Sequence, residues 1–518
     1  MLARIQSAAV LGVDAYAVDV EVDISPGLPS FATVGLPQGA VREGRERVAA
    51  AIGNAGYDMP LRRVTVNLAP ADIPKQGAAF DLPIALGILV ASGQLPAAPL
   101  EQVVVAGEVG LTGELRPVRG ALALALGARA TAARALLLPA ANVREASVVE
   151  GLTILGAATL DEVCRHVLGV APLPVTEGAG PATLLGAPVP DADFADVRGQ
   201  ATAKRALEVA AAGAHNILLI GPPGAGKTML ARRLPGILPS MSLAEALETT
   251  KVHSVAGLLS PARPLAVCRP FRAPHHTISD AGLVGGGSPP RPGEVSLAHG
   301  GVLFLDELPE FRRSVLEVLR QPLEDGAVTL SRATISLTYP ARIMLAAAMN
   351  PCPCGHAGDP ARACRCLPDA VQRYRARLSG PLLDRIDIHL EVPALPYKDL
   401  VADAPAESSA DIRARVEAAR AIQRRRFAAT DGVHANAHMS VREIRRHCAV
   451  TPGVELLLRT AIGQLGLSAR AYHRVLRIAR TIADLAGSEG MSEVHVAEAI
   501  RYRTLDRGDG RAGAAASA

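Results

Sequence analysis

Short apolar and polar segments alternate over the first third of the chain. The pattern predicts an α/β domain over residues 1–170, with strands at 15–24, 30–35, 62–68 and 102–107 and helices at 39–54, 79–93 and 119–133. Pro, Gly and Ala dominate residues 171–190, a composition typical of a linker. A second α/β pattern then predicts a nucleotide-binding domain over residues 191–396.

Helical periodicity takes over after Pro393 and Pro396. It predicts a helical domain over 405–505, with helices at 409–429, 440–447, 452–465, 468–486 and 492–502. Residues 506–518 are predicted to be a disordered tail. The predicted fold class is therefore α/β and multidomain, with a helical C-terminal domain.

The composition fits a folded protein of several domains. The chain has 518 residues, 49% of them apolar and 20% charged, which excludes a disordered protein. No apolar stretch is long enough to span a bilayer, and Asp14 and Asp19 interrupt any signal-peptide pattern. We therefore expect a cytoplasmic protein with no membrane partner. The net charge of +4 neither requires nor excludes nucleic acid as a partner.

A glycine-rich loop lies between an apolar strand and a helix in ILLIGPPGAGKTMLARRL, residues 217–234. Its core fits the pattern G-x-x-x-x-G-K-[ST], in which backbone N–H groups and a lysine bind the phosphates of ATP and a hydroxyl binds Mg²⁺. Only five lysines occur in the chain, so a lysine in this loop is informative. The predicted ATP-binding residues are Gly221, Pro222, Pro223, Gly224, Ala225, Gly226, Lys227 and Thr228.

Two further strands supply polar groups for hydrolysis. The strand in GGVLFLDELPEF ends in Asp306, predicted to hold Mg²⁺ through water, and Glu307, predicted to polarise the attacking water. RIMLAAAMN ends in Asn350, which is predicted to orient that water, although an asparagine there also fits a simple turn. Two carboxylates beside a phosphate-binding loop indicate hydrolysis of ATP rather than binding alone.

Two arginines are candidates for stabilising charge on the γ-phosphate. Arg385 in LSGPLLDRIDIHLEVP is predicted to act on the ATP of a neighbouring subunit, the alternative being a salt bridge to Asp384 or Asp387. Arg470 opens a predicted helix and is expected to fold over the nucleotide of its own subunit. The later arginines of this helix are partly ordinary surface residues.

This ordered set of motifs resembles the AAA+ ATPases. The segment FRAPHHTISDAGLVGGGSPPRPGEVSLAHGGVLFLDELPEF resembles the magnesium-chelatase-like clade, and nearly all of residues 1–505 resembles the ComM/YifB family within it. The resemblance implies a hexameric ring that moves DNA. It also implies helicase activity in branch migration, which promotes homologous recombination during natural transformation.

The resemblance also suggests residues that contact DNA. An insert between the phosphate-binding loop (the Walker A motif) and the strand that ends in Asp306 and Glu307 (the Walker B motif) carries His275 and His276. Segment 326–340 is predicted to form two strands with Arg332 at the tip. Solvated loop side chains are the alternative for each. As metal ligands the two histidines are disfavoured, because no acidic or cysteine partner is expected nearby.

Four cysteines fall within NPCPCGHAGDPARACRC, in an insert at residues 352–366. Cys352, Cys354, Cys364 and Cys366 form two C-x-C pairs that can complete a tetrahedral, structural Zn²⁺ site. His356 is a possible substitute for one cysteine, and four free thiols are the alternative. A zinc ion here would lie just after Asn350 and brace it.

The first domain resembles the Lon-protease type, an S5 domain 2-like fold. PKQGAAFDLPIALG matches the turn that carries the nucleophile in that family, but the serine position holds Ala79 and the lysine position falls at about Leu122. Peptidase activity is therefore not expected. Lys75, together with the arginines of VREGRERV, is a candidate for a DNA-binding surface, with solvated helix charges as the alternative.

Three rival functions are less consistent with these residues. The ATPase resembles the motor subunit of a metal chelatase, but the extra N-terminal domain argues against that role. An ATP-dependent protease is disfavoured by the missing serine and lysine, and a scaffold without activity is disfavoured by Asp306 and Glu307.

Overall fold

Three structural units follow one another along the chain. A computed structural model describes residues 1–75, 77–178, 192–260, 262–288, 290–331, 336–359, 362–394, 406–430, 432–465 and 468–503. An N-terminal α/β domain precedes a central α/β domain and a group of C-terminal helices, which confirms the predicted fold class. Within these ranges no helix combines the length and apolar character needed to cross a bilayer.

The N-terminal domain is built on a mixed sheet. Its strands are β1 (Leu2–Leu11), β2 (Asp14–Ser25), β3 (Ser30–Val34), β4 (Arg63–Ala69), β5 (Val103–Val105), β6 (Glu108–Val109), β7 (Leu115–Arg116), β8 (Ala135–Pro139), β9 (Thr153–Ala157) and β10 (Val175–Glu177). Its helices are α1 (Gly39–Asn54), α2 (Asp81–Ala91), α3 (Ala121–Ala130), α4 (Val143–Ala146) and α5 (Leu160–Val167). The sheet has the strand order β10-β9-β8-β5-β1-β2-β4-β3, and β6 pairs with β7 apart from it.

Alternation of side chains explains the central strands of this sheet. Strand β2 buries Val18, Val20, Val22 and Ile24 on one face, because side chains two residues apart point to the same side. Helix α2 is buried along its whole length and packs against β1 and β2. The four strands and three helices predicted for residues 1–170 all form in the predicted order, with ends that shift by a few residues. The prediction missed strands β1, β6, β7, β8 and β9 and helices α4 and α5.

The predicted linker is shorter than the composition suggested. Strand β10 pairs antiparallel with β9, with Val175 opposite Leu155, so the N-terminal sheet extends into the segment 171–190. A segment rich in Pro and Gly can still contain a few residues that complete a sheet edge, since pairing depends on the neighbouring strand. Residues 179–191 lie outside the described part of the chain.

The central domain carries the nucleotide-binding motifs. Its helices are α6 (Ala201–Gly213), α7 (Lys227–Arg232), α8 (Leu234–Ile237), α9 (Leu243–Ala256), α10 (Asp280–Val284), α11 (Glu294–Leu297), α12 (Arg313–Val318), α13 (Arg320–Asp325), α14 (Pro368–Arg375) and α15 (Gly380–Leu383). Its strands are β11 (Ile217–Ile220), β12 (Phe271–Arg272), β13 (Gly285–Gly286), β14 (Arg291–Pro292), β15 (Val302–Leu305), β16 (Ala327–Ser331), β17 (Ser336–Pro340), β18 (Met344–Met349) and β19 (Ile388–Glu391).

A parallel sheet with the order β12-β15-β18-β11-β19 forms the middle of this domain. Strands β11, β15 and β18 are buried on both faces, as continuous apolar runs in a parallel sheet require. Because all five strands are parallel, their carboxyl ends lie at one edge of the sheet. The polar residues that follow β11, β15 and β18 therefore meet at that edge.

The C-terminal helices share a core with the central domain. They are α16 (Ser409–Phe427), α17 (Val441–His447), α18 (Pro452–Leu465), α19 (Ala469–Leu485) and α20 (Glu493–Arg501), close to the predicted bounds. Helices α16 and α19 pack on α6, and the buried ring of His215 links Asp387 (3.3 Å from Nδ1) to Thr481 (2.9 Å from Nε2).

The N-terminal domain is packed directly onto the central domain. Helix α3 lies against α9, and three apolar residues of the central domain are buried in the N-terminal core, namely Met241, Ala246 and Leu265. Polar contacts join the same surfaces: Lys251 Nζ donates to Asp14 Oδ1 at 2.7 Å, and Ser254 Oγ donates to the half-buried carboxylate of Glu145. The two domains therefore share an apolar core and polar contacts as well as the connecting segment.

Candidate active site

The phosphate-binding loop connects β11 to α7. Gly224 and Gly226 adopt φ values of 78° and 83°, a region that glycine enters without steric cost. Such a loop turns successive backbone N–H groups inward, which suits the oxygens of a phosphate chain. The loop begins where β11 ends and α7 starts at Lys227, as the sequence predicts.

Lys227 lies at the centre of the site. Its ammonium group donates to the carbonyl oxygens of Gly221 (2.6 Å) and Pro222 (2.9 Å) and to Oδ1 of Asn350 (3.2 Å). The side chain is buried, and this burial lowers its pKa from the usual value. The predicted phosphate-binding lysine and the predicted water-orienting asparagine are thus in direct contact.

Thr228 and Asp306 form the predicted magnesium-binding pair. Thr228 Oγ1 donates to Asp306 Oδ2 at 2.6 Å, and the other carboxylate oxygen accepts from the backbone N–H of Glu307 at 2.9 Å. A hydroxyl beside a carboxylate supplies the hard oxygen ligands that Mg²⁺ prefers, with further positions left to phosphate and water. The residues present therefore fit a magnesium ion.

Glu307 follows in a left-handed conformation at φ 54°, and 58% of its side chain is exposed. The imidazole of His276 lies beside it, with Nδ1 3.6 Å from Glu307 Oε2. The expectation that the histidine pair has no acidic neighbour is therefore wrong. Strand β12 lies parallel to β15, so the residues that follow the two strands meet at the same edge of the sheet.

The surroundings of His276 orient its ring. The ring lies 4.1 Å from that of His275 between centroids and meets Phe311 edge-on at 6.4 Å. His275 itself is exposed and contacts Thr277. Within the described residues these histidines belong to no group of three or more metal-ligating side chains.

Another residue of the site was missed by sequence reasoning. Gln200, just before α6, donates from Nε2 to the carbonyls of Ala225 (3.1 Å) and Pro393 (3.3 Å), which joins the phosphate-binding loop to the end of the domain. No motif surrounds this glutamine, so the sequence offered no signal for it.

The two predicted arginines pair with residues outside the Walker motifs of their own chain. Arg385 donates to the carbonyl of Pro381 at 2.6 Å and pairs with Glu324, rather than with Asp384 or Asp387. Arg470 is 73% exposed and pairs with Asp384 at 3.1 Å. In the described part of the chain neither arginine pairs with Asp306 or Glu307, so their roles at a nucleotide stay predictions.

The four clustered cysteines come together as the spacing predicts. The sulfur atoms of Cys352, Cys354, Cys364 and Cys366 all lie within 4.8 Å of one another. His356 instead pairs with Asp359 at 3.2 Å. Backbone N–H groups, first of His356 and then of Arg365, lower the pKa of Cys354 to about 6, because they stabilise its thiolate.

Two predicted DNA contacts have different outcomes. Lys75 is completely buried and its ammonium group donates to the carbonyl of Pro70, so the prediction that it forms a DNA-binding surface is wrong. The turn folds over the lysine, which a pattern of residue types does not reveal. Arg332 lies outside the described residues; the two strands that flank it, β16 and β17, form the predicted antiparallel pair.

The Lon-type turn contains a buried ion pair and no nucleophile. Ala79 occupies the serine position, and Leu122 is fully buried. Asp81, which is 1% exposed, accepts hydrogen bonds from Arg47 Nε (2.8 Å) and Nη2 (3.2 Å) and so joins α1 to α2. Arg47 is therefore committed to the domain interior rather than to a DNA surface.

Comparison with known proteins identifies the same three units. The family model "Magnesium chelatase, subunit ChlI" matches residues 193–400, "Subunit ChlI of Mg-chelatase" matches 20–142, and "Magnesium chelatase, subunit ChlI C-terminal" matches 406–503. The chain is also 32% identical over 165 residues to Lon protease 2 of Bacillus subtilis, covering 28% of this chain and 27% of that protein.

Several relatives match over nearly the whole length of the chain. Competence protein ComM of Haemophilus influenzae is 46% identical over 508 residues, and the uncharacterized protein YifB of Escherichia coli is 45% identical over 508 residues. Each alignment covers 98% of this chain and 98% of the relative. The chain therefore belongs to the ComM/YifB family of magnesium-chelatase-like AAA+ proteins.

Proposed function

We propose that this protein hydrolyses ATP to move DNA, as a hexameric helicase that drives branch migration and promotes homologous recombination in natural transformation. The observation that carries the ATPase part is the convergence of Lys227, Thr228, Asp306, Glu307 and Asn350 at one edge of a parallel sheet. The relative named for competence supports the choice of DNA as the partner.

Each residue has a definite part in the reaction. Lys227 holds the β- and γ-phosphates, and Asn350 orients the attacking water. Glu307 accepts a proton from this water as its oxygen attacks the γ-phosphorus and the bond to the bridging oxygen breaks, giving ADP and phosphate. Mg²⁺ held by Thr228 and Asp306 would neutralise charge on the phosphates. Arg385 acts on the nucleotide of the neighbouring subunit in the ring.

The proposed DNA contacts lie on the β16–β17 hairpin and on the loop after β12. The hairpin buries Val328, Leu337 and Tyr339 against the protein. Its outer face carries paired hydroxyls, with Thr329 Oγ1 3.1 Å from Thr338 Oγ1, and such groups bind phosphate oxygens. Arg332 and the exposed His275 are the proposed basic contacts, and His276 is assigned instead to Glu307.

Zinc belongs to the proposal as a structural cofactor. Cys352, Cys354, Cys364 and Cys366 would hold Zn²⁺ in a closed site, since four thiolates leave no open position for chemistry.

The test is ATP turnover without DNA and with single-stranded DNA, duplex DNA or a synthetic four-way junction, together with strand separation on the junction. We expect stimulation by single-stranded or junction DNA. Glu307→Gln should lower turnover about 10²- to 10⁴-fold, the usual worth of a general base. Glu310→Gln is the matched control, because Glu310 lies in the same turn and pairs with Arg377 on the surface.

Arg385→Ala should lower turnover by about 10³-fold or more if the arginine acts on the neighbouring subunit. Mixing it with Glu307→Gln tests this arrangement, since some mixed interfaces regain both groups and recover activity. Arg459→Ala, on an exposed helix surface, is the control. Turnover that ignores every DNA would refute the motor proposal and favour a chelatase-type or protein-remodelling ATPase, which the chelatase family match leaves as the second candidate.

A further inference from the structure

Four cysteine sulfurs converge beside the nucleotide-binding loop. Cys352 Sγ lies 3.4 Å from Cys354 Sγ and 3.6 Å from Cys364 Sγ, and these last two are 3.6 Å apart. A disulfide needs about 2.05 Å between sulfurs. Four thiolates around Zn²⁺ at about 2.3 Å stand roughly 3.8 Å apart. The spacing therefore fits a tetrahedral metal site and does not fit a disulfide.

Backbone N–H groups point at the same sulfurs. Ala357 N donates to Cys352 Sγ at 3.3 Å, and Cys366 N donates to Cys364 Sγ at 3.4 Å. Hydrogen bonds from the surrounding backbone orient metal-binding side chains and stabilise their charged form. The cluster thus has both the ligands and the outer hydrogen bonds of a built metal site.

The first cysteine turn lies against residues of the nucleotide site. Cys352 is buried and follows Asn350, which accepts from Lys227, by two residues. Gly355 adopts φ 84° and lies so close to the phosphate-binding loop that a Cβ there would come within 2.6 Å of Pro223 Cδ. The same Cβ would stand 3.9 Å from Asn350 Cγ. The turn therefore packs against both halves of the nucleotide site.

We propose that zinc bound by these four cysteines controls ATP turnover, by fixing the turn of residues 352–355 against Pro223 and so holding Asn350 in place. The inference rests on the proposed ATPase activity and the proposed zinc site. The metal has no part in the chemistry itself. Its occupancy decides whether Lys227 and Asn350 keep the geometry that the reaction needs.

The experiment uses the full-length protein and two readouts. Zinc per chain is measured by elemental analysis, and nucleotide affinity and ATP turnover are measured on the same samples. Wild type and Cys268→Ser, an exposed cysteine outside the cluster, should hold about one zinc ion and turn over ATP equally. Cys354→Ser should lose zinc and lose turnover roughly tenfold or more.

Two further samples distinguish a specific effect of zinc on ATP turnover from a general loss of folding. Removing zinc from wild type with a chelator should abolish ATP turnover, and adding zinc back should restore it. The thermal unfolding transition of the zinc-free chain should remain, which shows that the rest of the protein stays folded. Gly355→Ala keeps all four cysteines but forces the turn away from Pro223. It should therefore retain zinc and still lose turnover or nucleotide affinity by roughly tenfold.

Absence of zinc from wild type, with no uptake of added Zn²⁺, would overturn the proposal, as would zinc-free protein that binds and hydrolyses ATP normally. Failure of the motor proposal looks different: the protein would hold zinc yet show no response to DNA. If wild type hydrolyses no ATP at all, nucleotide affinity with and without zinc still decides the inference, since unchanged affinity refutes it.

Discussion

The ion pair between Arg47 and Asp81 can be used to test whether the Lon-type turn before α2, which has no nucleophile, has a structural role. Asp81 is 1% exposed and Arg47 is 22% exposed, so Arg47→Ala leaves a buried carboxylate without its partner. Breaking a buried pair in this way costs about 3–5 kcal/mol. Since Arg47 is partly solvated, we expect the lower end, about 3 kcal/mol, or roughly a 150-fold shift in the local opening equilibrium.

Hydrogen–deuterium exchange of the amides of α2 is the suitable assay, because it reports local opening within a multidomain chain. Arg45→Ala, on the same helix but 54% exposed, is the matched control and should cost under about 0.5 kcal/mol. Arg47→Ala combined with Asp81→Asn should recover part of the loss. Equal exchange in Arg47→Ala and Arg45→Ala would refute a bracing role for the turn.

The pH dependence gives an independent check. Burial raises the pKa of Asp81 to about 6, above the roughly 3.9 of an unfolded chain. A carboxyl group whose pKa is raised by folding, as in Asp81, stabilises the folded state while it is protonated. This stabilisation is lost as the pH rises through the pKa of the folded state. Arg47→Ala raises this pKa further. The stability difference from wild type should therefore be larger at pH 8 than at pH 5.5, and the reverse order would contradict the argument.

Three other outcomes follow from the site and its surroundings. Thr228→Ala, with Thr228→Ser as control, should raise the Mg²⁺ concentration needed for half-maximal turnover roughly tenfold, because Mg²⁺ loses a hydroxyl ligand and Asp306 loses its hydroxyl partner; an unchanged requirement would exclude Thr228 as a ligand. His276→Ala should change turnover without DNA by up to about fivefold, the worth of a partly exposed side-chain contact with Glu307, and DNA-free turnover equal to wild type would show that the contact is inert. His389 is buried, and this lowers its pKa to about 3, so its contribution to stability is present above about pH 6.5 and lost as the pH falls towards 3, by up to about 1.4 kcal/mol per unit. The melting temperature should fall less steeply between pH 7 and pH 5 in His389→Gln than in wild type. Equal dependence of the melting temperature on pH in the two proteins would refute this.

Local patterns predicted the fold and the Walker residues well, because both depend on short-range signals. An apolar run, a glycine loop and a helix lie together in sequence around Lys227, and the same holds for the strand that ends at Asp306. The contact between His276 and Glu307 depends instead on β12 lying beside β15, which two residues of strand do not predict. Lys75 was misplaced for a related reason, since its burial is decided by how the turn folds over it.

The apolar contact between α3 and α9 has a consequence for how such a domain can be lost or kept. Deleting the first 178 residues would uncover Met241, Ala246 and Leu265, which are buried against the N-terminal core. The remaining domains would carry a new exposed hydrophobic patch of the kind that promotes aggregation. The N-terminal domain therefore has a structural reason to be kept, because without it its neighbour would expose an apolar surface. Removing the N-terminal domain is costly because it exposes apolar residues of the central domain, whether or not the N-terminal domain carries out a reaction.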